Sequence, residues 1–178
     1  KYTPVLLVEE VKPQEKGISL IANLVHSVDS YVLRTLVRRC MYSPRVLNAS
    51  KAILESSSTP VEYQDTEANR VWKHTGMADF SMLEELTQEE ANTMSLGLKR
   101  ELLRMIELSL SHKPFDIVCI HNSFATHANN VNQMRRVYAD IMASLCRSTL
   151  AEDLLNQLYG NDAPLHKLNN ATQLAEKI

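Results

Sequence analysis

Apolar residues three and four positions apart recur over most of this chain, and this spacing constrains it to a mostly helical fold. The spacing predicts a helix over Ala22–Met41 that is ended by Pro44, although extended structure could persist as far as His26. It predicts a second helix over Leu96–His112, with Pro114 after its end. Each helix presents one apolar stripe, which is typical of a helix packed on a core.

The spacing of apolar residues in the last third of the chain predicts two further helices. Asn129 or Asn130 can cap the first of them, and Gly160 ends the second. The residues expected to face inward from the first of these helices are Val131, Met134, Tyr138, Ile141, Met142 and Leu145. Near the other end of the chain, Val5–Val8 is an apolar run of strand length.

One β-rich run interrupts the helical pattern. It stops at the polar pair His121-Asn122, after which a short apolar run resumes. This order predicts a hairpin over residues 115–126 whose turn presents the pair. The predicted fold class is therefore α+β, mostly helical, with a small antiparallel sheet around the hairpin that Val5–Val8 could join. An ordinary tight turn also explains the pair, because Asn tolerates left-handed backbone angles. The alternative is a functional pair on a rigid support.

Residues 48–95 differ in composition from the rest of the chain, because they are rich in serine and in acids. They predict a loop followed by one or two short helices, as an excursion from the core. Two capping boxes are visible, Ser81 with Glu84 and Thr87 with Glu90. The acids make the segment a poor partner for phosphates. It is expected to be a solvated excursion or a contact with another subunit.

The composition excludes several classes of protein. The chain has 178 residues, 44% of them hydrophobic, so it can bury a core. Its net charge of −2 means that any basic surface must be local. Three scattered cysteines outside any CxxC pair argue against a disulfide framework and for a reducing compartment. No apolar run is long enough to cross a membrane, and common phosphate-loop, dinucleotide, zinc-protease and serine-hydrolase motifs are absent.

Two segments resemble motifs of the single-subunit DNA-directed RNA polymerases of bacteriophages, mitochondria and chloroplasts. Residues 120–128, Ile-His-Asn-Ser-Phe-Ala-Thr-His-Ala, look like the third palm motif, an apolar strand followed by His-Asp-Ser-Phe-Gly/Ala-Thr. Residues 23–31, Asn-Leu-Val-His-Ser-Val-Asp-Ser-Tyr, are similar to the Asn-Phe-Val/Ile-His-Ser-x-Asp-Gly/Ser-Ser-His segment that precedes that motif in the family. Ser123 indicates an RNA polymerase, because family A DNA polymerases place Glu there.

The resemblance implies a division of the chain into four parts of a right-hand polymerase. Residues 1–47 would be a palm segment with a strand and a helix, and residues 48–95 an acidic insertion. Residues 96–160 would hold the palm hairpin and its flanking helices, and residues 161–178 a C-terminal tail segment. The small sheet would then be the polymerase palm.

The activity implied is template-directed RNA synthesis by nucleotidyl transfer, with His121, Asn122 and Ser123 as the catalytic motif. Asn122 stands at the position of a family Asp that, with a second Asp, holds two Mg²⁺ ions. One ion activates the RNA 3′-hydroxyl and the other neutralises the triphosphate. An amide is a poorer Mg²⁺ ligand than a carboxylate, so the rate should fall on the order of a thousandfold or more. Either an active enzyme has been inactivated, which the intact neighbours favour, or this is a natural non-catalytic form.

The second palm Asp and the fingers helix with its Lys and Tyr-Gly are absent, and neither Asp29 nor Asp116 stands in the right context to replace that Asp. We therefore expect one part of a longer polymerase or one polypeptide of a split, heterodimeric phage enzyme. Its partners would be the remaining polymerase segment or second subunit, a DNA template, the RNA product and nucleoside triphosphates, without a membrane. The compartment implied is the cytoplasm of a phage-infected bacterial host. The alternatives are a non-catalytic polymerase-like subunit or scaffold, and a plain helical interaction domain.

By the resemblance, four residues that precede the hairpin in the sequence are candidates for nucleic-acid or nucleotide binding. His26 and Ser27 would lie near the nucleotide and the end of the RNA–DNA hybrid. Arg34 and Arg38, four residues apart on a helix, could follow a phosphate strand, with Arg39 in the same basic segment. The simpler alternatives are a satisfied histidine at a helix edge and solvated charges on an exposed face.

Overall fold

The computed structural model describes residues 18–120 and 123–159 of the chain. The helices are α1 (Ile18–Cys40), α2 (Pro44–Ser56), α3 (Glu67–Thr75), α4 (Gln88–Thr93), α5 (Leu96–Leu110), α6 (Val131–Arg147) and α7 (Leu150–Tyr159). The strands β1 (Val118–Ile120) and β2 (Ser123–Ala125) form an antiparallel two-stranded sheet, and 3₁₀ helices cover Phe80–Leu83 and Ala128–Asn130. A mostly helical α+β fold is thereby confirmed.

The chain divides into two compact units, residues 1–31 and residues 32–178, and α1 begins in the first and ends in the second. The predicted strand Val5–Val8 and the predicted tail 161–178 lie outside the described residues. None of the described helices is both long enough and apolar enough to span a membrane.

The first predicted helix, Ala22–Met41, is confirmed, and α1 begins even earlier, so the extended alternative up to His26 is wrong. Pro44 does not end this helix. α1 stops at Cys40, and Pro44 is instead the first residue of α2, after Ser43 at the N-cap. Proline suits the first turn of a helix because an N–H there would have no intrahelical acceptor.

The segment 48–95 is not an excursion from the core, which corrects that prediction. α2, the first 3₁₀ helix and α4 supply apolar residues that pack with the stripe of α5. The buried core residues are Tyr42, Leu47, Leu54, Ala78, Phe80, Leu83, Leu86, Ala91, Met94, Leu98, Leu102, Met105 and Ile106. All acids of the segment except Asp79 are exposed. The acidic composition therefore concealed amphipathic elements that bury one side.

Only one of the two predicted capping boxes is confirmed. The Thr87 hydroxyl accepts from the Glu90 N–H at 3.2 Å, and the Glu90 carboxylate accepts from the Thr87 N–H at 2.9 Å. These hydrogen bonds begin α4. The Thr87 N–H and the Thr87 hydroxyl both donate to the Glu90 carboxylate, and they hold the pKa of Glu90 below its usual value. The Ser81–Glu84 box is wrong. Asp79 caps that turn, because its carboxylate accepts from the Ser81 N–H at 2.8 Å.

α5 confirms the predicted amphipathic helix. Ser95 caps it by accepting from the Leu98 N–H at 3.4 Å, and Leu98 and Leu102 are fully buried. Gly97 lets α3 approach closely, because a Cβ at this position would lie 3.0 Å from Nε1 of Trp72. A larger side chain at Gly97 would displace the indole.

α6 is rotated from its predicted orientation. Of the six residues expected to face inward, Ile141 is buried, Tyr138 is 38% exposed and the other four are half-buried. Val137 and Ala143 are buried instead. The rotation brings Asp140, on the same side as Val137, toward the core, where it meets two arginines described below.

The predicted asparagine cap of α6 is wrong. Asn130 occupies the N-cap position of α6, but its side chain makes no capping hydrogen bond. His127 caps the preceding 3₁₀ helix, since its Nδ1 accepts from the Asn129 N–H at 3.4 Å. The last described helix, α7, ends at Tyr159, and the predicted terminator Gly160 lies outside the described residues.

Candidate functional site

The predicted hairpin is present. Its register pairs Val118 with Ala125, Cys119 with Phe124 and Ile120 with Ser123. In the sequence, His121 and Asn122 stand between the paired residues Ile120 and Ser123, and both lie outside the described residues. The catalytic roles of these two residues stay predictions. The strands on either side of them have the pairing that a two-residue hairpin connection requires.

The two faces of the hairpin differ in how they are covered. Val118 and Ile120 are 57% and 63% exposed, and their partners on β2 are exposed as well. Side chains alternate between the faces of a strand, so Phe124 points to the opposite face. It packs against Tyr138 of α6 with ring centroids 6.0 Å apart. Among the described residues, α6 therefore supports one face of the hairpin and leaves an apolar face open.

The chain just before the hairpin is fixed to the end of α1. The Phe115 N–H donates to the Cys40 carbonyl at 2.9 Å, and the Tyr42 hydroxyl donates to the His112 carbonyl. The His112 ring also lies edge-on to Tyr42 and 5.5 Å from the Phe115 ring. Burial raises the pKa of the Cys40 thiol to about 12, so this cysteine is a packed, protonated group rather than a nucleophile.

An open groove of about 560 Å³ lies at the base of the hairpin. Its polar lining comes from Asp116, Thr126, His127 and Asn130, and the rest is apolar. The Thr126 hydroxyl donates to the Asp116 carbonyl at 2.7 Å, which joins the two ends of the hairpin. The groove thus combines a carboxylate, an imidazole and an amide with an apolar wall, as ligand-binding clefts do.

The predicted nucleotide-binding residues His26 and Ser27 belong to the unit formed by residues 1–31. Both are exposed on α1. The Ser27 hydroxyl donates to the carbonyl of Asn23 at 2.8 Å, a local bond that serine commonly makes within helices. The exposed His26 ring is accessible to a ligand.

The two arginines predicted to follow a phosphate strand lie in different surroundings. Arg34 is exposed. Arg38 lies between two carboxylates, with Nη1 3.2 Å from Asp79 Oδ1 and Nε 3.2 Å from Glu84 Oε1. Asp79 is itself fixed by the Thr35 hydroxyl at 2.9 Å. A phosphate at Arg38 would therefore have to compete with two carboxylates that the sequence analysis did not place there.

Arg39, which the sequence places in the same basic segment as Arg34 and Arg38, is buried with 1% of its surface exposed. Its Nη2 lies 2.8 Å from Asp140 Oδ2, and Arg104 donates to the same carboxylate at 2.9 and 3.1 Å. Neither Nε nor Nη2 of Arg39 makes a hydrogen bond within residues 18–120 and 123–159, so Asp140 compensates this guanidinium as an ion pair. A buried guanidinium needs such a paired carboxylate, because an unpaired charge is costly to desolvate.

The charges of this cluster reinforce one another. Burial alone raises the pKa of Asp140, but hydrogen bonds from Arg104 and the positive charge of Arg39 outweigh it and lower that pKa overall. The pKa of Arg104 is raised, chiefly by its hydrogen bonds to Glu101. The cluster ties α1, α5 and α6 together. One sequence signal could have located it, because Arg39 stands three residues after the buried Leu36.

The described residues do not by themselves fit the expected magnesium site. Within residues 18–120 and 123–159, no group of three or more His, Cys, Asp or Glu side chains could hold a metal ion. Asp116 is exposed at the groove, and its backbone carbonyl already accepts from Thr126. A two-ion site would therefore need carboxylates from outside the described part of the chain.

No protein-family model matches the chain, and no curated protein matches it either. The resemblance to single-subunit RNA polymerases therefore rests on residues 23–31 and 120–128 and on their order in the chain. Residues 23–31 lie on α1, whereas of residues 120–128, Ile120 ends β1 and residues 123–125 form β2.

Proposed function

We propose that this chain is the part of a DNA-directed RNA polymerase that carries the third palm motif. The observation that carries the proposal is the hairpin register, in which Ile120 is paired with Ser123. In the sequence, His121-Asn122 stands between these two strand segments, and this order supports the proposal because the polymerase motif also has its His-Asp pair directly after an apolar strand. The packing of Phe124 on Tyr138 gives the hairpin the rigid support that a catalytic motif needs.

The proposed reaction is template-directed nucleotidyl transfer. The 3′-hydroxyl of the growing RNA gives up its proton to water, and its oxygen attacks the α-phosphorus of a nucleoside triphosphate. A new P–O bond forms as the bond from the α-phosphorus to the α–β bridging oxygen breaks, and pyrophosphate leaves. His121 would contact the RNA 3′ end. The second palm Asp and the nucleotide-selecting helix would come from a remaining polymerase segment or a second subunit.

Asn122 sets the level of activity that we expect. A Mg²⁺ ion would lower the barrier by neutralising charge on the phosphates, and Asn122 offers it only a neutral amide oxygen. Mg²⁺ prefers charged oxygen ligands. The chain as it stands is therefore proposed to be inactive or nearly so, even when its partner segment is present.

The nucleic-acid contacts proposed for α1 differ in accessibility. His26, Ser27 and Arg34 are exposed. Arg38 would bind a phosphate only by exchanging its ion pairs with Asp79 and Glu84. The proposed setting is the cytoplasm of a phage-infected bacterial host, where template, triphosphates and Mg²⁺ are all present.

The decisive experiment restores the missing carboxylate. Asn122→Asp, measured in the full polypeptide or complex that contains this chain, should raise Mg²⁺-dependent extension of an RNA primer on a DNA template by about a thousandfold or more. The assay follows incorporation of labelled nucleotides. The expected gain arises because a carboxylate replaces a neutral amide beside the triphosphate.

Asn122→Ala is the matched control, since it removes the side-chain oxygen at the same position and should leave synthesis at the background level. Template binding is measured for all three proteins by fluorescence anisotropy. If the Asp variant binds template as the parent does and still makes no RNA, the catalytic assignment of this hairpin is wrong.

A second candidate function is that of a non-catalytic polymerase-like subunit or scaffold. Asn122 favours it, because the one position that most needs a carboxylate has an amide. On this alternative the Asp variant stays inert, and the chain still forms a stable complex with its polymerase partner. Co-purification of the two therefore separates a scaffold from an unrelated helical domain.

A further inference from the structure

The outward side of α6 carries an uncompensated positive charge next to the hairpin. Asn132, Arg135, Arg136 and Tyr138 are all exposed, and we call these four residues the α6 basic face. Positions three and four apart are neighbours on a helix surface. Asn132 therefore lies beside both arginines, and Arg135 lies beside Tyr138.

Both arginines of the α6 basic face are available for a ligand. Within residues 18–120 and 123–159, the side chains of Arg135 and Arg136 make no hydrogen bond or ion pair. The single acid between residues 123 and 147 is Asp140. Its carboxylate is already shared by Arg39 and Arg104 on the inner side of the helix. The near-neutral charge of the whole chain thus hides a local cationic surface.

An aromatic ring extends this surface to the hairpin. Tyr138 is 38% exposed, and its ring packs at 6.0 Å against Phe124 of β2. Its position is fixed by that contact while part of the ring stays open to solvent. A fixed, partly open ring can stack on a base at little cost in side-chain entropy.

We propose that the α6 basic face binds a single strand of nucleic acid, with two phosphates on Arg135 and Arg136 and a base on Tyr138. Proteins commonly bind single strands through cationic side chains that contact phosphates and aromatic side chains that stack on bases. A duplex would keep its bases stacked and leave the ring unused. The inference takes the class of its partner from the proposed function, but it requires no catalysis.

The test uses the 178-residue chain with fluorescein-labelled oligonucleotides of about 12 nucleotides. The double variant Arg135→Ala/Arg136→Ala should weaken binding about tenfold at low salt. It should also reduce the slope of log K against log salt by about 1.4, because each phosphate contact contributes about 0.7 on single strands. DNA and RNA strands of the same sequence are compared. Binding of either strand supports the proposed site, because both carry phosphates and bases. A preference shows which strand occupies it.

Two controls separate this face from general charge effects. Arg100→Ala removes an exposed arginine of α5 that also has no ion pair in the described part of the chain, and should leave the slope unchanged. Tyr138→Leu should weaken binding about fivefold or more through lost stacking, whereas Tyr138→Phe should not. Thermal unfolding of each variant checks that the fold is kept.

Three results would overturn the inference. One is an unchanged salt slope in the double variant. Another is an equal loss in Arg100→Ala, and the third is equally tight binding of an acidic peptide, which would make the face a protein-docking surface. These results are independent of the polymerase assay. If Asn122→Asp makes RNA and the double variant binds strands normally, this inference alone is wrong. If strands bind specifically and Asn122→Asp makes no RNA, the catalytic proposal alone is wrong.

Discussion

The helical core and the hairpin differ in how much of their apolar surface the described chain covers. Leu98 and Leu102 of α5 are 0% exposed, whereas Val118 and Ile120 of β1 are 57% and 63% exposed. Burying one aliphatic side chain contributes about 2 kcal/mol, so the core stabilises itself. An isolated pair of short strands is marginal in water. The region with the predicted catalytic motif therefore depends on its surroundings for order, while the helical region does not.

The largest effect is expected within the helical region, at Asp140. Asp140→Ala leaves the buried Arg39 without a carboxylate and should lower the free energy of unfolding by about 4 kcal/mol. Urea unfolding of the 178-residue chain measures the loss. Glu107→Ala, which removes an exposed partner of Lys51, is the control and should cost less than about 1 kcal/mol. Equal losses would show that the buried cluster stabilises the helical region no more than an exposed ion pair does.

The same carboxylate predicts a dependence on pH. The folded-state pKa of Asp140 is lowered, so its stabilising effect is fully present well above the unfolded value of about 3.9 and is lost as the pH falls below it. The parent should therefore lose more stability than Asp140→Ala between about pH 6 and pH 3. Parallel pH profiles for the two proteins would contradict this account.

The next largest effect tests the core itself. Leu102→Ala removes a fully buried side chain of α5 and should lower the free energy of unfolding by about 3 kcal/mol, through lost burial and a cavity. Leu96→Ala makes the same change on the same helix at a residue that is 47% exposed, and should cost less than about 0.5 kcal/mol. A small cost for Leu102→Ala would mean that the core is loosely packed and differs little from the hairpin.

The smallest effect is expected on the open face of the hairpin. Ile120→Thr keeps a β-branched residue on the strand and should change the free energy of unfolding by less than about 0.5 kcal/mol. Urea unfolding at two protein concentrations gives the measurement. A loss above about 1 kcal/mol that grows with concentration would show that this face is covered by a second copy in solution.

Much of the fold could be predicted from the sequence, because the informative signals are local. The spacing of apolar residues located α1 and α5, and the polar pair within a β-rich run located the hairpin. Pro44 was misassigned because proline both follows helices and begins them. Only the surrounding chain distinguishes the two cases. Residues 48–95 were misassigned because composition was weighed above the periodicity of the short elements.

The candidate site was less predictable, because it depends on contacts between distant segments. The carboxylates beside Arg38 come from a segment about forty residues away, and no local pattern indicates them. Arg39 and Arg135 look alike as residue types, yet one is buried on a carboxylate and the other is open to solvent. Which arginine can meet a phosphate is decided by tertiary structure, whereas the His121-Asn122 motif is legible in the sequence alone.

The bond from Tyr42 to His112 joins positions 70 residues apart, beside the bond from Phe115 to Cys40. Closing so long a loop costs chain entropy before the contacts inside it can form, and such distant contacts slow folding. The base of the hairpin is therefore completed only after the helices between these positions have compacted. During synthesis, the motif proposed for catalysis would be among the last parts of the chain to acquire its working geometry.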